Sequence, residues 1–196
     1  MEQLKMRAGC AVPFPEKLFE SYTPGENRIF ANVSADKLGD MMTGFIRMHE
    51  EPLFFILELP TNANDEHDLS EAQHNDVYYI DALDSKNAER ILETAGELLY
   101  ADGLAMFGFG CHESGDEIMS VKYNEIIVFS KEIEKYYSLF KTHDIPRTEK
   151  LVTAWDTFSY ENPGKCFAVN INGKMVYDIP EMFKDWGIYL AERRND

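Results

Sequence analysis

The segment LAMFGFGCHESGDEIMSVKYNEIIVF, residues 104–129, decides the fold and is predicted to form an antiparallel hairpin. Successive side chains of a β-strand point to opposite faces of the sheet. Phe107 and Phe109 therefore share one face of the first strand, and Gly108 and Gly110 share the other. This arrangement predicts an antiparallel pair with one apolar and one solvated face.

The second strand of this predicted hairpin repeats the alternation after a turn at Gly115-Asp116. Its apolar face is predicted to carry Met119, Val121, Tyr123, Ile127 and Phe129. Glu125 interrupts that row, and the apolar run that follows it indicates burial on both faces or a β-bulge.

A helix is predicted on each side of the hairpin. The helix before it has apolar residues at helical spacing, and Asp84 or Ser85 is suited to cap its first turn. Its buried stripe is predicted to comprise Ala88, Ile91, Leu92, Ala95, Leu98 and Leu99. The helix after the hairpin begins at Ser130 and ends before Pro146.

Three further patterns complete the expected fold. The unbroken apolar run at 53–59 predicts a central strand covered on both faces. Asn172-Gly173 between two strand-like runs predicts a hairpin over 166–178 with a type I′ turn. Pro180 suits the first turn of a last helix. The apolar face of that helix is predicted to carry Met182, Phe183, Trp186, Tyr189 and Leu190.

We therefore expect an α+β fold, with a mostly antiparallel sheet packed by about four helices. The chain of 196 residues is expected to form a single domain. The N-terminal residues lack the apolar core of a signal peptide, and no window has the roughly 18 apolar residues of a membrane span. Three widely spaced cysteines indicate reduced thiols. These features predict a cytoplasmic protein.

Most of the negative charge lies in one segment of the chain. The net charge is −16, and residues 51–103 alone contain thirteen acidic and two basic side chains. Within this segment, residues 61–76 are polar and lack a helical or strand period, so they predict a long exposed loop. Loops of this length in compact domains are usually functional or disordered.

An acidic surface repels nucleic acid and anionic membranes and attracts basic proteins. We therefore expect a non-catalytic module that binds a basic protein, for example an inhibitor of the immunity-protein type. The alternative is that the acidic segment only keeps the protein in solution. The predicted binding residues are the loop acids with two neighbouring tyrosines as aromatic anchors. They are Asp65, Glu66, Asp68, Glu71, Asp76, Tyr78 and Tyr79.

The sequence contains no motif that assigns catalysis. His67 and His74 lie among the loop acids, but their spacing matches no zinc or calcium motif, so no metal is predicted. Cys111 and His112 are adjacent, and adjacent strand residues point to opposite faces. The chain has no Walker lysine and no nucleophile elbow, and no cofactor is predicted.

The competing hypothesis is a small enzyme or ligand-binding domain. Its pocket would lie between the sheet and a helix, with the histidine and glutamate at the hairpin tip as acid–base candidates. The predicted pocket residues are Phe107, Phe109, His112, Glu113, Tyr123 and Trp155.

Overall fold

The structure is a computed structural model that describes residues 2–50, 52–61 and 74–194. It confirms the predicted α+β class, because an eight-stranded antiparallel sheet packs against helices. The strands are β1 Cys10–Ala11, β2 Ser21–Pro24, β3 Arg28–Asn32, β4 Leu53–Thr61, β5 His74–Leu83, β6 Met106–Cys111, β7 Asp116–Ser120, β8 Glu125–Phe129, β9 Lys165–Cys166 and β10 Tyr189–Arg194. The α-helices are α1 Leu38–Arg47, α2 Ser85–Ala101, α3 Tyr137–Thr142 and α4 Ile179–Met182.

Short 3₁₀ helices lie in the connections between these elements. They are Pro15–Lys17, Ala35–Lys37, Lys122–Asn124, Ile133–Tyr136, Ala154–Thr157, Val176–Asp178 and Lys184–Trp186.

The central strand is β4, as the apolar run at 53–59 predicts. The strand order is β10-β5-β4-β6-β7-β8-β3-β2, and β1 and β9 form a separate two-stranded sheet. Phe55 of β4 is paired with Ile80 of β5 on one side and with Phe109 of β6 on the other. Every residue from Leu53 to Pro60 is buried, so β4 is shielded on both faces.

One face of the sheet packs against α1, α2 and α3. Phe55, Phe107 and Phe109 point into this core and have no exposed surface. The stripe predicted on α2 lies in the same core, and the Asp84 carboxylate accepts a hydrogen bond from the N–H of Asn87. Apolar residues alternate along the strands and recur once per turn along the helices, and both sets of side chains point into this core.

The second strand of the predicted hairpin is interrupted, and the structure has two strands there. Tyr123 and Asn124 adopt left-handed backbone angles, with φ of 56° and 65°, so β8 folds back along β7. The Asn124 side chain holds this turn, because it donates to the carbonyls of Lys5 and Val33 and accepts from the N–H of Arg7. Long-range contacts therefore decide the turn.

This turn also changes which residues reach the core. Ile118, Ile126 and Val128 lie beside Phe109 in the helix-covered core, whereas Met119 and its partner Ile127 point to the opposite face. The predicted apolar row on one strand is therefore only partly correct. Two of its members, Met119 and Ile127, share a face, but they lie side by side on β7 and β8.

The C-terminal part of the chain differs from the prediction. Asn172 and Gly173 both have positive φ, as a type I′ turn requires, and Ile171 is bridged to Lys174. The flanking runs do not continue that ladder, because Lys165–Cys166 is paired with β1. The predicted last helix is short, and Tyr189 and Leu190 belong to β10, which extends the sheet edge.

The predicted acidic loop is shorter at both ends than residues 61–76. Thr61 is the last residue of β4, and His74 to Asp76 belong to β5. Residues 62–73 lie outside the described part of the structure.

Replacing Gly108 with alanine is expected to destabilise the fold by about 2 kcal/mol or more, because overpacked positions force backbone shifts. A Cβ atom on Gly108 would lie 1.9 Å from the carbonyl oxygen of Ile118 on the neighbouring strand. The measurement is urea unfolding followed by circular dichroism. Gly25→Ala is the matched control, since its Cβ would lie 3.4 Å from the nearest atom. Equal unfolding midpoints for the two variants would contradict the register described for β6 and β7.

Candidate functional site

The face of the eight-stranded sheet opposite α1, α2 and α3, here called the open face, carries a second apolar cluster. The cluster comprises Phe54, Ile56, Val77, Met119, Tyr79, Met106 and Val121. All of these residues lie on β4 to β7 except Val121, which follows β7 directly. Within the described residues, no helical residue belongs to the cluster.

Two glycines help to explain how apolar side chains are buried in this cluster, to which no helix of the described chain contributes. A Cβ on Gly110 would lie 2.1 Å from the ring of Phe54, and one on Gly108 would lie 2.6 Å from the sulfur of Met119. The Phe54 ring and the Met119 thioether therefore lie across β6, where glycine leaves room. Phe54 is only 6% exposed as a result.

Half-buried aromatic and aliphatic side chains surround this buried centre. Tyr79 contacts Phe54 with ring centroids 5.6 Å apart, and its ring stacks on Tyr189 at 6.4 Å. Ile127 and Phe129 continue the apolar surface onto β8. The open face thus presents rigid aromatic and apolar groups that remain partly accessible to solvent.

Charged groups border the open face on the β10 side. On the open face, Arg194 donates to the Glu58 carboxylate at 2.6 Å. On the opposite face, Arg193 lies 2.9 Å from the carboxylate of Asp76, which is paired with the core residue Leu59. Burial, with a contribution from nearby Glu58, raises the pKa of Glu117 on the same face. The two arginines of β10 therefore neutralise two buried carboxylates of the acidic segment, those of Glu58 and Asp76.

The predicted binding residues separate into three groups. Tyr79 lies on the open face, whereas Tyr78 lies opposite Leu57 and packs against the helix-covered core. Asp76 is wrongly predicted as exposed, because it is 6% exposed and paired with Arg193. The other four predicted acids are outside the described residues, namely Asp65, Glu66, Asp68 and Glu71.

The residues of the alternative pocket are not brought together. Phe107 and Phe109 are fully buried in the core between the sheet and the helices. His112 is exposed and contacts Asp81 at 3.3 Å. Glu113 is exposed as well, at the hairpin tip. An open groove of about 560 Å³ lies elsewhere, beside β2. Its lining residues are Tyr22, Tyr137, Ser138, Lys141, Asp144, Ile145, Pro146 and Arg147.

The remaining two pocket candidates, Tyr123 and Trp155, pack against each other near a buried acid. Their rings meet edge to face with centroids 4.9 Å apart. Burial raises the pKa of Glu125 to about 7, the Asp156 carboxylate adds to the rise, and a hydrogen bond from Trp155 opposes it. The Oε1 atom of Glu125 lacks a hydrogen-bond partner among the described residues.

The residue opposite Glu125 across the strands also carries a buried acceptor. Glu125 lies directly opposite Asn32, whose buried Oδ1 atom also lacks a donor within the described chain. A protonated Glu125 carboxyl would carry a hydrogen-bond donor that the carboxylate lacks. In the sequence, this site is indicated only by Glu125, a charged residue that interrupts an apolar strand.

A second polar cluster, which sequence reasoning missed, connects α1 to the β6–β7 hairpin. The His49 ring nitrogen Nε2 lies 3.2 Å from the Asp116 carboxylate and 2.8 Å from the Tyr136 hydroxyl. Burial disfavours the Asp116 carboxylate, but hydrogen bonds from Lys135 and from neighbouring serines hold its pKa well below the usual range. Asp116 and Tyr136 are at most 2% exposed, so this cluster is built to hold the fold together.

The described residues contain no group of three or more histidine, cysteine or acidic side chains arranged to hold a metal ion. In the same part of the chain, no helix combines the length and apolar character needed to cross a membrane. Comparisons of the chain with protein-family models, curated proteins and solved structures found no match.

Glu125→Gln is expected to stabilise the protein at pH 8 and to have a smaller effect at pH 5. The folded pKa of Glu125 is raised to about 7, so ionising it costs stability above that pH, and the cost disappears below about pH 4.5. Each pKa unit corresponds to about 1.4 kcal/mol, so the gain should be of the order of 1 to 3 kcal/mol. Urea unfolding of both proteins at the two pH values measures it.

The same measurement on Glu149→Gln is the control for a general charge effect, because Glu149 is exposed and does not contribute to the pKa of Glu125. A Glu125→Gln variant with the same stability difference at pH 5 and pH 8 would contradict the raised pKa.

Proposed function

We propose that this protein is a non-catalytic module that binds a basic protein through the open face. The observation that carries the proposal is the apolar cluster of the open face, to which no helical residue of the described chain contributes. Its four central residues are buried, and its accessible apolar surface is that of the half-buried Tyr79, Met106 and Val121. Accessible apolar surface that is bordered by charged residues is typical of protein interaction sites. Folded cores normally cover both faces of a sheet that is this apolar.

The charge of the chain supports a basic partner. The net charge is −16, and four acids lie in sequence between the ends of β4 and β5, two strands of the open face. Negative potential near the face would accelerate the approach of a basic protein and reject nucleic acid. Charge alone gives limited affinity, so an apolar anchor is also required.

Tyr79 and Tyr189 are the proposed anchors. Tyr189 is 47% exposed, and its hydroxyl donates a hydrogen bond to Asp81 at 2.6 Å, which restrains its ring. Tyr79 is held between Phe54 and Tyr189. A tyrosine restrained in this way offers contact area with little loss of conformational entropy on binding.

An inhibitor of the immunity-protein type is one concrete form of this proposal. A small acidic domain with a flat apolar face would cover the active site of a basic toxin by charge and shape complementarity. Cys10, Cys111 and Cys166 are free thiols, which agrees with the reducing cytoplasm as the place of action.

Capture of partners from a cell lysate on the immobilised full-length chain tests the proposal. The captured protein is expected to have an isoelectric point above about 9, and capture should weaken as salt rises from about 0.1 to 0.5 M, because salt screens the attraction. Tyr79→Ala should weaken binding of the purified partner by about 30-fold or more, as measured by calorimetry. Tyr189→Ala should act in the same direction.

Tyr160→Ala is the matched control, because Tyr160 is fully exposed in the loop between Thr157 and β9. Circular dichroism and melting temperature establish that each variant is folded. A partner whose binding is insensitive to salt, or one that Tyr79→Ala and Tyr160→Ala affect equally, would refute the proposal.

A further inference from the structure

Two of the three cysteines face each other across the small β1–β9 ladder. Cys10 and Cys166 are direct partners in this antiparallel pair. The N–H of Phe167 donates to the carbonyl of Gly9 at 2.9 Å, so the cysteines occupy a non-hydrogen-bonded position. Cα atoms at such positions lie about 4.5 Å apart, within the range of about 4.4–6.8 Å that a disulfide requires.

The environment of the two thiols favours one shared negative charge. Cys10 and Cys166 are hydrogen-bonded to each other, and the Tyr123 hydroxyl donates a further hydrogen bond to Cys166. These hydrogen bonds, together with Lys122 and Arg7, lower the pKa of Cys166 to about 7 against the effect of burial. The hydrogen bond to Cys166, together with burial, raises the pKa of Cys10. These contacts favour the thiolate form of Cys166 over that of Cys10.

A buried guanidinium supplies positive charge beside this pair. Arg7 is 1% exposed, and its guanidinium donates to the Asp102 carbonyl and the Ser120 hydroxyl. It lies close enough to both thiols to interact electrostatically with them. Nucleophilic cysteines in proteins are found in such electropositive, partly exposed positions.

Access differs among the three cysteines in a way that singles out this pair. Cys166 is half-buried, Cys10 is 8% exposed, and Cys111 is buried with its thiol directed at the Glu50 carbonyl. An oxidant reaching the protein would therefore meet Cys166 first, with Cys10 next to it as the resolving thiol.

We propose that Cys10 and Cys166 form a redox-active dithiol that a hydroperoxide converts reversibly into a disulfide. The Cys166 thiolate attacks one oxygen of hydrogen peroxide. The O–O bond breaks, an S–O bond forms, and hydroxide leaves. The Cys10 sulfur then attacks the Cys166 sulfur, so the S–S bond forms, the S–O bond breaks, and water departs with the Cys10 proton. Two electrons pass from the two sulfurs to the peroxide.

The disulfide would join the N-terminal segment to the segment that follows the Ala154–Thr157 helix. Both segments belong to the small core around Tyr123, which comprises Leu4, Cys10, Leu18, Tyr123 and Ala154. A bond that closes so long a loop restricts the unfolded chain strongly, so oxidation should stabilise the fold.

The test uses the reduced full-length chain treated with one equivalent of hydrogen peroxide. Free thiols, counted after denaturation, should fall from three to one. Peptide mapping should recover a peptide with Cys10 linked to Cys166 and leave Cys111 reduced. The melting temperature should rise by about 5 °C or more, since each kcal/mol corresponds to about 2–4 °C in a protein of this size. A thiol reductant should reverse all three changes.

Variants separate the roles of the two sulfurs. Cys111→Ser should behave as the wild type. Cys10→Ser should accumulate a sulfenic acid on Cys166 that a dione reagent traps, and Cys166→Ser should consume peroxide far more slowly. Tyr123→Phe should shift the pH midpoint of Cys166 alkylation upward from about 7, because the hydrogen bond to the thiolate is lost.

Peptide mapping of the oxidised wild-type protein is sufficient to test whether Cys10 and Cys166 form a disulfide. If the Cys10–Cys166 peptide is absent after oxidation, or Cys111 reacts as fast as Cys166, the proposal is refuted. The proposed partner does not enter this experiment, so its outcome is independent of the binding proposal.

Discussion

The alternation of side chains along β4 and β6 is the constraint on which the rest of the structure depends. Phe55 and Phe109 point to the helices, and Phe54 and Gly110 point to the open face. A shift of one residue in the register of a strand would exchange the two faces of that strand. The glycines of β6 leave room for the Phe54 ring and the Met119 thioether on the second face, where no helical residue of the described chain joins the cluster.

Polar contacts join distant chain segments at the end of the sheet near the N-terminal segment, beside the small core around Tyr123. Asp102 accepts hydrogen bonds from the N–H groups of Leu104, Ala105 and Val169, and Asn124 connects the N-terminal segment to β3. Buried polar groups of this kind must find partners, so they specify one arrangement of distant chain segments. The same contacts bring the N-terminal and C-terminal cysteines side by side.

The sequence could predict those helices, strands and turns whose stabilising residues are neighbours in the chain. The cap and stripe of α2, the apolar run of β4 and the Asn172-Gly173 turn all follow from neighbouring residues. The division between β7 and β8 does not follow from neighbouring residues. The left-handed turn that separates these strands is formed by Tyr123 and Asn124, and it contains no glycine that would have predicted it. Its stabilising hydrogen bonds come from residues at the other end of the chain.

For the candidate sites, the sequence by itself determined the α+β class, the net negative charge, the reduced thiols and the presence of an aromatic pair beside the acidic segment. Only the tertiary structure decided which tyrosine faces outward, that β10 neutralises Glu58 and Asp76, and that Cys10 meets Cys166. The physical reason is the sequence separation over which each interaction acts. Composition and periodicity act within a strand or helix, whereas strand pairing and ion pairs join residues whose separation in sequence carries no pattern.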